Sequence, residues 1–167
     1  MNTAEYTSAA SKAVISKRAV EIVEAEAPIL KDVLIRKLMT SFGVNKSASV
    51  LEATEKAFKA AKIKCTKQKG IVFCWATEQD PKAYYGLRVS KERTGDEICP
   101  QELRNAIVYA LQTKGELSKD DLIKEASVVL GYKRLGKNLE AALAAGLQFA
   151  RSSGAIAYVP GGKFKLR

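Results

Sequence analysis

A segment that begins at Leu30 returns in altered form 88 positions later, and this self-similarity constrains the fold more than any other feature of the chain. Residues 30–50 read LKDVLIRKLMTSFGVNKSASV, and residues 118–138 read SKDDLIKEASVVLGYKRLGKN. In one register Lys31 stands over Lys119, Asp32 over Asp120, Leu34 over Leu122 and Ile35 over Ile123. Further along, Phe42 stands over Leu130, Gly43 over Gly131, Lys46 over Arg134, and Leu51–Glu52 over Leu139–Glu140. The matches share one hydrophobic phase, and the spacing is too long for a helical-repeat solenoid. A duplicated domain is therefore expected.

Within the first copy, Ile15, Ala19, Ile22 and Val23 recur at helical spacing over residues 14–25, and Pro28 then interrupts. A second helix is predicted over residues 31–42 on the stripe Leu34, Ile35, Leu38 and Phe42, with Gly43 ending it. A third starts after Asn45–Ser47 and carries Val50, Ala53, Thr54, Ala57, Phe58 and Ala61 on one face. The period then shortens to two. Ile63 and Cys65, the turn KQKG, and Ile71, Phe73 and Trp75 predict a β-hairpin whose alternation turns Cys65 inward. The second copy repeats this order, with helices over 100–113, 119–130 and 136–152 and a hairpin on Ile156, Tyr158, Phe164 and Leu166 around PGG. The expected fold class is mainly α with small β-hairpins (α+β), as two tandem winged helix-turn-helix domains. The predicted layout is an N-terminal tail over 1–13, domain one over 14–78, a linker over 79–97 and domain two over 98–167. Within the linker, YYGLRV is read as a short strand packed on one domain. Tyr84 and Tyr85 either stack on bases or, as amphipathic rings more often do, anchor the linker to a core.

Catalytic readings find little support. The chain has no histidine, and Cys65, Cys74 and Cys99 form no C-x-x-C pair, which argues against a Cys/His zinc site and fits a reducing cytosol. No Walker or dinucleotide-binding loop occurs, and the PGGK near the C-terminus precedes no helix. The chain is expected to be non-catalytic and to need no cofactor and no metal. No run approaches the ~18 apolar residues of a membrane span, and no signal peptide is apparent, so a cytoplasmic protein without membrane contact is expected.

Twenty-eight Lys and Arg against eighteen Asp and Glu give a formal charge of +10. The excess is not spread evenly. Residues 43–78 hold seven bases to three acids, and residues 131–167 hold seven bases to one acid, Glu140. The first two helices of each copy are close to neutral. A winged helix meets nucleic acid with its turn, third helix and hairpin, which are the basic parts here. The candidate contacts are accordingly Lys46, Ser47, Ser49, Lys133, Arg134, Lys137 and Asn138 at the two helix entrances. Arg151 lies on the second third helix. Lys64, Lys67, Lys69, Lys163, Lys165 and Arg167 lie on the hairpins. DNA, held mainly through its backbone, is the expected partner. Two features favour a different reading. Glu52–Lys56 and Glu55–Lys59 are i, i+4 pairs that solvate a helix, and the face Lys137, Ala141, Ala144, Gln148, Arg151 suits docking on another protein.

These residues also resemble a known family. The run from YYGLRV through ICPQELRNAIVYALQTKGELSKDDLIKEASVVLGYKRLGKNLEAAL is similar to a domain of unknown function. That domain lies at the C-terminal end of large bacterial superfamily I DNA helicase-like proteins, after a restriction-endonuclease-like domain. Its motifs appear here as Ile98, Pro100, Glu102 and Leu103 and as Leu130 to Gly136, and the first copy resembles the family's opening half. The resemblance implies an accessory module beside a helicase or nuclease partner. It assigns no catalytic residues, and neither motor nor nuclease lies within these 167 residues.

Overall fold

The computed structural model describes all of residues 1–167, in two compact units, Met1–Pro81 and Lys82–Arg167. The first contains α1 (Thr3–Thr7), a 3-10 turn (Ala9–Ser11), α2 (Lys12–Glu26), β1 (Ile29–Leu30), α3 (Lys31–Ser41), α4 (Ala48–Ala61), β2 (Lys64–Gln68) and β3 (Ile71–Trp75). The second contains a 3-10 turn (Gly95–Glu97), α5 (Pro100–Lys114), β4 (Leu117–Ser118), α6 (Lys119–Val129), α7 (Lys137–Ser152), β5 (Ile156–Val159) and β6 (Lys163–Leu166). The protein is thus α+β, with two small antiparallel sheets of the same strand arrangement, β1-β3-β2 and β4-β6-β5. The central strand in each is the returning arm of the hairpin. Its outer neighbours β1 and β4 are two residues long, too short for alternation to announce them, and pairing alone makes them strands.

Local chemistry accounts for the element ends. Helix α2 stops before Pro28, which follows a cis peptide bond, and Gly43 takes a φ of 67° after α3. Ser47 caps α4 by accepting from the Val50 N–H, and Ser118 caps α6 by accepting from the Asp121 N–H. Lys69 and Gly70, both at positive φ, form the two-residue loop between β2 and β3. Gly146 lies inside α7, where glycine costs a helix roughly 1 kcal/mol. The contact with α5 explains it, since a Cβ there would stand 2.6 Å from the Leu103 Cβ.

Each unit has its own core. Ile15, Ala19, Ile22 and Val23 of α2 meet Leu34 and Leu38 of α3 and Val50 and Ala57 of α4. In the second unit Leu103, Ile107 and Leu111 of α5 meet Leu122 and Ile123 of α6 and Leu139, Leu143 and Leu147 of α7, with Ile156 and Phe164 beneath.

Three features differ from expectation. Residues 1–13 are not a loose tail. Tyr6 is fully buried, its ring meets Phe42 edge-on, and its hydroxyl lies 2.8 Å from the Thr54 Oγ1. The Thr54 hydroxyl proton goes to the Val50 carbonyl at 2.7 Å, so the tyrosine is the donor to Thr54. The inward cysteine of the first hairpin is Cys74, fully buried, whereas its cross-strand neighbour Cys65 is exposed. Side chains directly opposite on an antiparallel pair share a face, and β3 is the central strand, so the deeper position falls to Cys74.

The third concerns residues 82–97. No strand forms at YYGLRV, yet this stretch belongs to the second unit and is tied down along its length. Asn105 donates to the carbonyls of Tyr84 and Gly86 at 3.1 and 2.8 Å. The Arg88 N–H donates to Glu102 at 2.8 Å, and the Arg93 guanidinium grips both oxygens of Glu102 at 2.7 and 3.2 Å. The Ser90 N–H reaches the Leu130 carbonyl, and the Gly95 N–H reaches the Asn138 Oδ1 at 2.6 Å. Polar side chains of α5 and α7 thereby satisfy backbone groups that a strand would otherwise have paired.

Two stability outcomes follow. The only tryptophan, Trp75, lies in the first unit and reports its unfolding. Tyr6→Ala should cost that unit about 3–5 kcal/mol in urea titrations followed by Trp75 fluorescence. A wild-type midpoint would show that residues 1–13 contribute nothing. Glu102→Gln leaves Arg93 without its counter-charge and should cost about 3–5 kcal/mol. Trypsin should then cleave after Arg88, Lys91 or Arg93 much faster than in the wild type.

Candidate nucleic-acid interface

The turn before α7 sorts its residues by environment. Tyr132 donates its hydroxyl proton to the Arg93 carbonyl, and Leu135 packs against the core. Lys133 and Arg134, between these two anchors, are exposed, as is Lys137 at the first position of α7. A basic group at that end opposes the helix dipole, so stability of the helix does not account for Lys137. On the hairpin, Lys163 and Lys165 alternate with Phe164, which is buried, and both lysines are exposed with Arg151 and Arg167. None of these seven cations makes an ion pair. Glu140 is the one acidic side chain in residues 131–167, and it too has no partner.

The first unit differs. Lys46 is the single cation of the turn before α4 and is exposed. Ser47 accepts the Val50 N–H, and the Ser49 hydroxyl lies 3.2 Å from that of Ser47, so both serines serve the helix start. Lys67 and Lys69 are exposed on the hairpin. Lys64 instead donates to the carbonyls of Thr77 and Gln79 at 3.0 and 2.6 Å. Of the rest, Lys56 alone is ion-paired, while Lys59 and Lys62 are exposed and unpaired. Glu52 pairs with Lys56 at 2.6 Å, whereas Glu55 pairs with Lys31 at 2.9 Å and not with Lys59. Lys31 also lies 4.7 Å above the Phe58 ring, a cation–π contact that uses its charge inside the fold.

Two further candidates on the second unit are redefined by their contacts. The Asn138 oxygen accepts from the Gly95 N–H, so this exposed side chain also holds the 95–97 turn. On the exposed face of α7, Ala141 and Ala145 are open while Ala144 is half-buried against the core. Sequence reasoning passed over Tyr158 as a contact residue because its place in the hairpin pattern marks it as inward. It is in fact 58% exposed at the hairpin end, with its ring edge-on to Phe164 at 5.3 Å. Tyr85 is 79% exposed, and Arg104 lies over both its ring and that of Phe149 at 5.6 and 5.7 Å.

The thiols occupy contrasting environments. Contact with the Cys74 sulfur, 3.1 Å away, holds the Cys65 thiol below the usual thiol range, with Lys31 adding a smaller pull. The same contact and burial push Cys74 strongly upward. Burial, assisted by Glu102, pushes Cys99 up to about 12.

Among known proteins, residues 6–52 match the model of a family described as a protein of unknown function (DUF3320). That match runs from the buried Tyr6 through α2 and α3 into the first turn of α4 and lies wholly in the first unit. No curated protein and no solved structure matches the chain. No helix is long and apolar enough to cross a membrane.

Thiol accessibility provides a check on this arrangement. Iodoacetamide at neutral pH should modify Cys65 well before Cys74 or Cys99, at a rate that rises with pH as thiolate forms. The other two should react only when their units open. Equal rates for all three thiols would contradict the burial described here.

Proposed function

We propose that the chain is a non-catalytic nucleic-acid-binding module built from two tandem winged helices that arose by duplication, and that it binds DNA chiefly through its second unit. The observation that carries this reading is the set of seven exposed, unpaired cations on the turn, α7 and hairpin, set against the single carboxylate of Glu140. Unpaired positive charge is costly to concentrate and becomes favourable when a polyanion releases its counterions. Lys133, Arg134 and Lys137 would hold phosphates at the start of α7, and Lys163 and Lys165 would hold them from the hairpin. Lys46, Lys67 and Lys69 make the first unit a weaker second contact. The family resemblance supports a place beside a helicase or nuclease in the cytoplasm, as an accessory that holds DNA for another protein's chemistry.

A docking role on such a partner, or on a second copy, draws on the exposed Ala141 and Ala145 of α7. The two readings separate in one experiment. Fluorescence anisotropy of labelled DNA over a salt series should show log K falling with log salt at about −0.9 per phosphate contacted on duplex. Arg134→Glu combined with Lys137→Glu should flatten that slope by about 2 and weaken binding steeply, with an unchanged circular dichroism spectrum. Undiminished binding by this double variant would remove the second unit from the interface. No binding at low salt, together with concentration-dependent sedimentation, would favour docking instead.

A further inference from the structure

A groove of about 540 Å³ runs between the C-terminal half of α7 and the edge strand β5, outside the turn and helix start discussed above. Gln148, Arg151 and Ser152 line it from the helix, Tyr158 lines it from the strand, and Arg167 closes it from beyond β6. Its volume falls in the range of about 300–1,000 Å³ typical of sites for small organic ligands. We infer that this groove is a nucleotide subsite for single-stranded nucleic acid, with a base stacked on Tyr158 and the adjoining phosphates held by Arg151 and Arg167. The inference rests on the nucleic-acid reading and specifies the form of strand.

Several observations converge on it. Tyr158 is more than half exposed although it shares a sheet face with the buried Ile156 and Phe164, so an aromatic plane stands open where the pattern would place a core residue. Its edge-on contact with Phe164 fixes the ring without covering it. A fixed, open ring binds bases with little entropy loss, and every base has a face to stack. Neither Arg151 nor Arg167 has an ion-pair partner, and a guanidinium matches phosphate with paired donors. The groove lies at the C-terminal end of α7, whose dipole disfavours anions, so the two full charges must outweigh a partial one of roughly one half. Gln148 and Ser152 add an amide and a hydroxyl that suit a base edge or sugar. The chemistry selects an unpaired strand, because a base inside a duplex offers no free face to a side chain.

The test uses the full chain and measures anisotropy of a short labelled oligothymidylate and of a labelled duplex of equal length. Tyr158→Ala should weaken binding of the single strand by at least about fivefold, while Tyr158→Phe, which keeps the ring, should remain within about twofold of wild type. Arg151→Gln should weaken it further and reduce its salt dependence. Duplex binding should respond to neither tyrosine change. If Tyr158→Ala binds the single strand as wild type does, or if the wild type binds duplex and no single strand, this inference falls while the DNA reading stands. If neither strand form binds the wild type, both fall. Displacement of the oligomer by an equal concentration of thymidine monophosphate would replace the strand with a free nucleotide as ligand and overturn the proposal.

Discussion

A carboxylate with no exposure to water, Glu102, organises the second unit. A charge in that position is tolerable only if it is paired and its remaining lone pairs are used. Arg93 meets both oxygens, the Arg88 N–H donates to one of them, and the Arg88 guanidinium adds its charge from 4.0 Å. Because Arg93 also donates to the Arg88 carbonyl and offers its own carbonyl to Tyr132, one ion pair fixes residues 82–97, α5 and the turn before α7 together. The basic residues Lys133 and Arg134 are displayed by a turn that this buried pair anchors. The first unit solves a similar problem differently. There an uncharged buried hydroxyl pair, Tyr6 and Thr54, joins the N-terminal segment to α4. Units of this size bury a modest share of their surface, so a flanking segment that covers the helices contributes disproportionately.

The charge pattern gains meaning once the cations are sorted by use. Arg93, Lys31 and Lys37 belong to the fold, through ion pairs with Glu102, Glu55 and Glu26. Lys56 is matched by Glu52 on the helix surface, an exposed pair that contributes little to stability. What remains unpaired includes all seven cations on the turn, α7 and hairpin of the second unit, where Glu140 is the one acid, and Lys46, Lys59, Lys62, Lys67 and Lys69 in the first. The two units therefore share an order of elements and differ in chemistry. In the first, the helix start carries one lysine and two serines engaged in capping. In the second, it carries three free cations.

Much of this was present in the amino-acid order. Periodicity marked all three helices and the hairpin of each half, because alternation and helical spacing are local and repeated over many residues. Charge counting likewise pointed to the basic segments, since exposed lysines need no partner to be recognised. Other features had no local sign. Strands β1 and β4 are two residues long and exist only because β3 and β6 lie beside them. Glu102 looks like a first-turn acid on an ordinary helix, and Asn138 looks like a free base-reading amide. Each is defined by a partner distant in the chain, Arg93 in one case and Gly95 in the other.

The sequence by itself determined the number, kind and order of the main elements, the apolar stripes that form two cores, and the segments that carry excess positive charge. Those properties depend on residues a few positions apart, within reach of a helical turn or a strand's alternation. Only the tertiary structure decided that residues 1–13 and 82–97 are integral to their units, that Cys74 and not Cys65 is buried, and that Tyr158 stands open above a groove lined by Arg151 and Arg167. Burial and pairing of this kind depend on which surfaces meet, and the groups involved lie tens of residues apart along the chain.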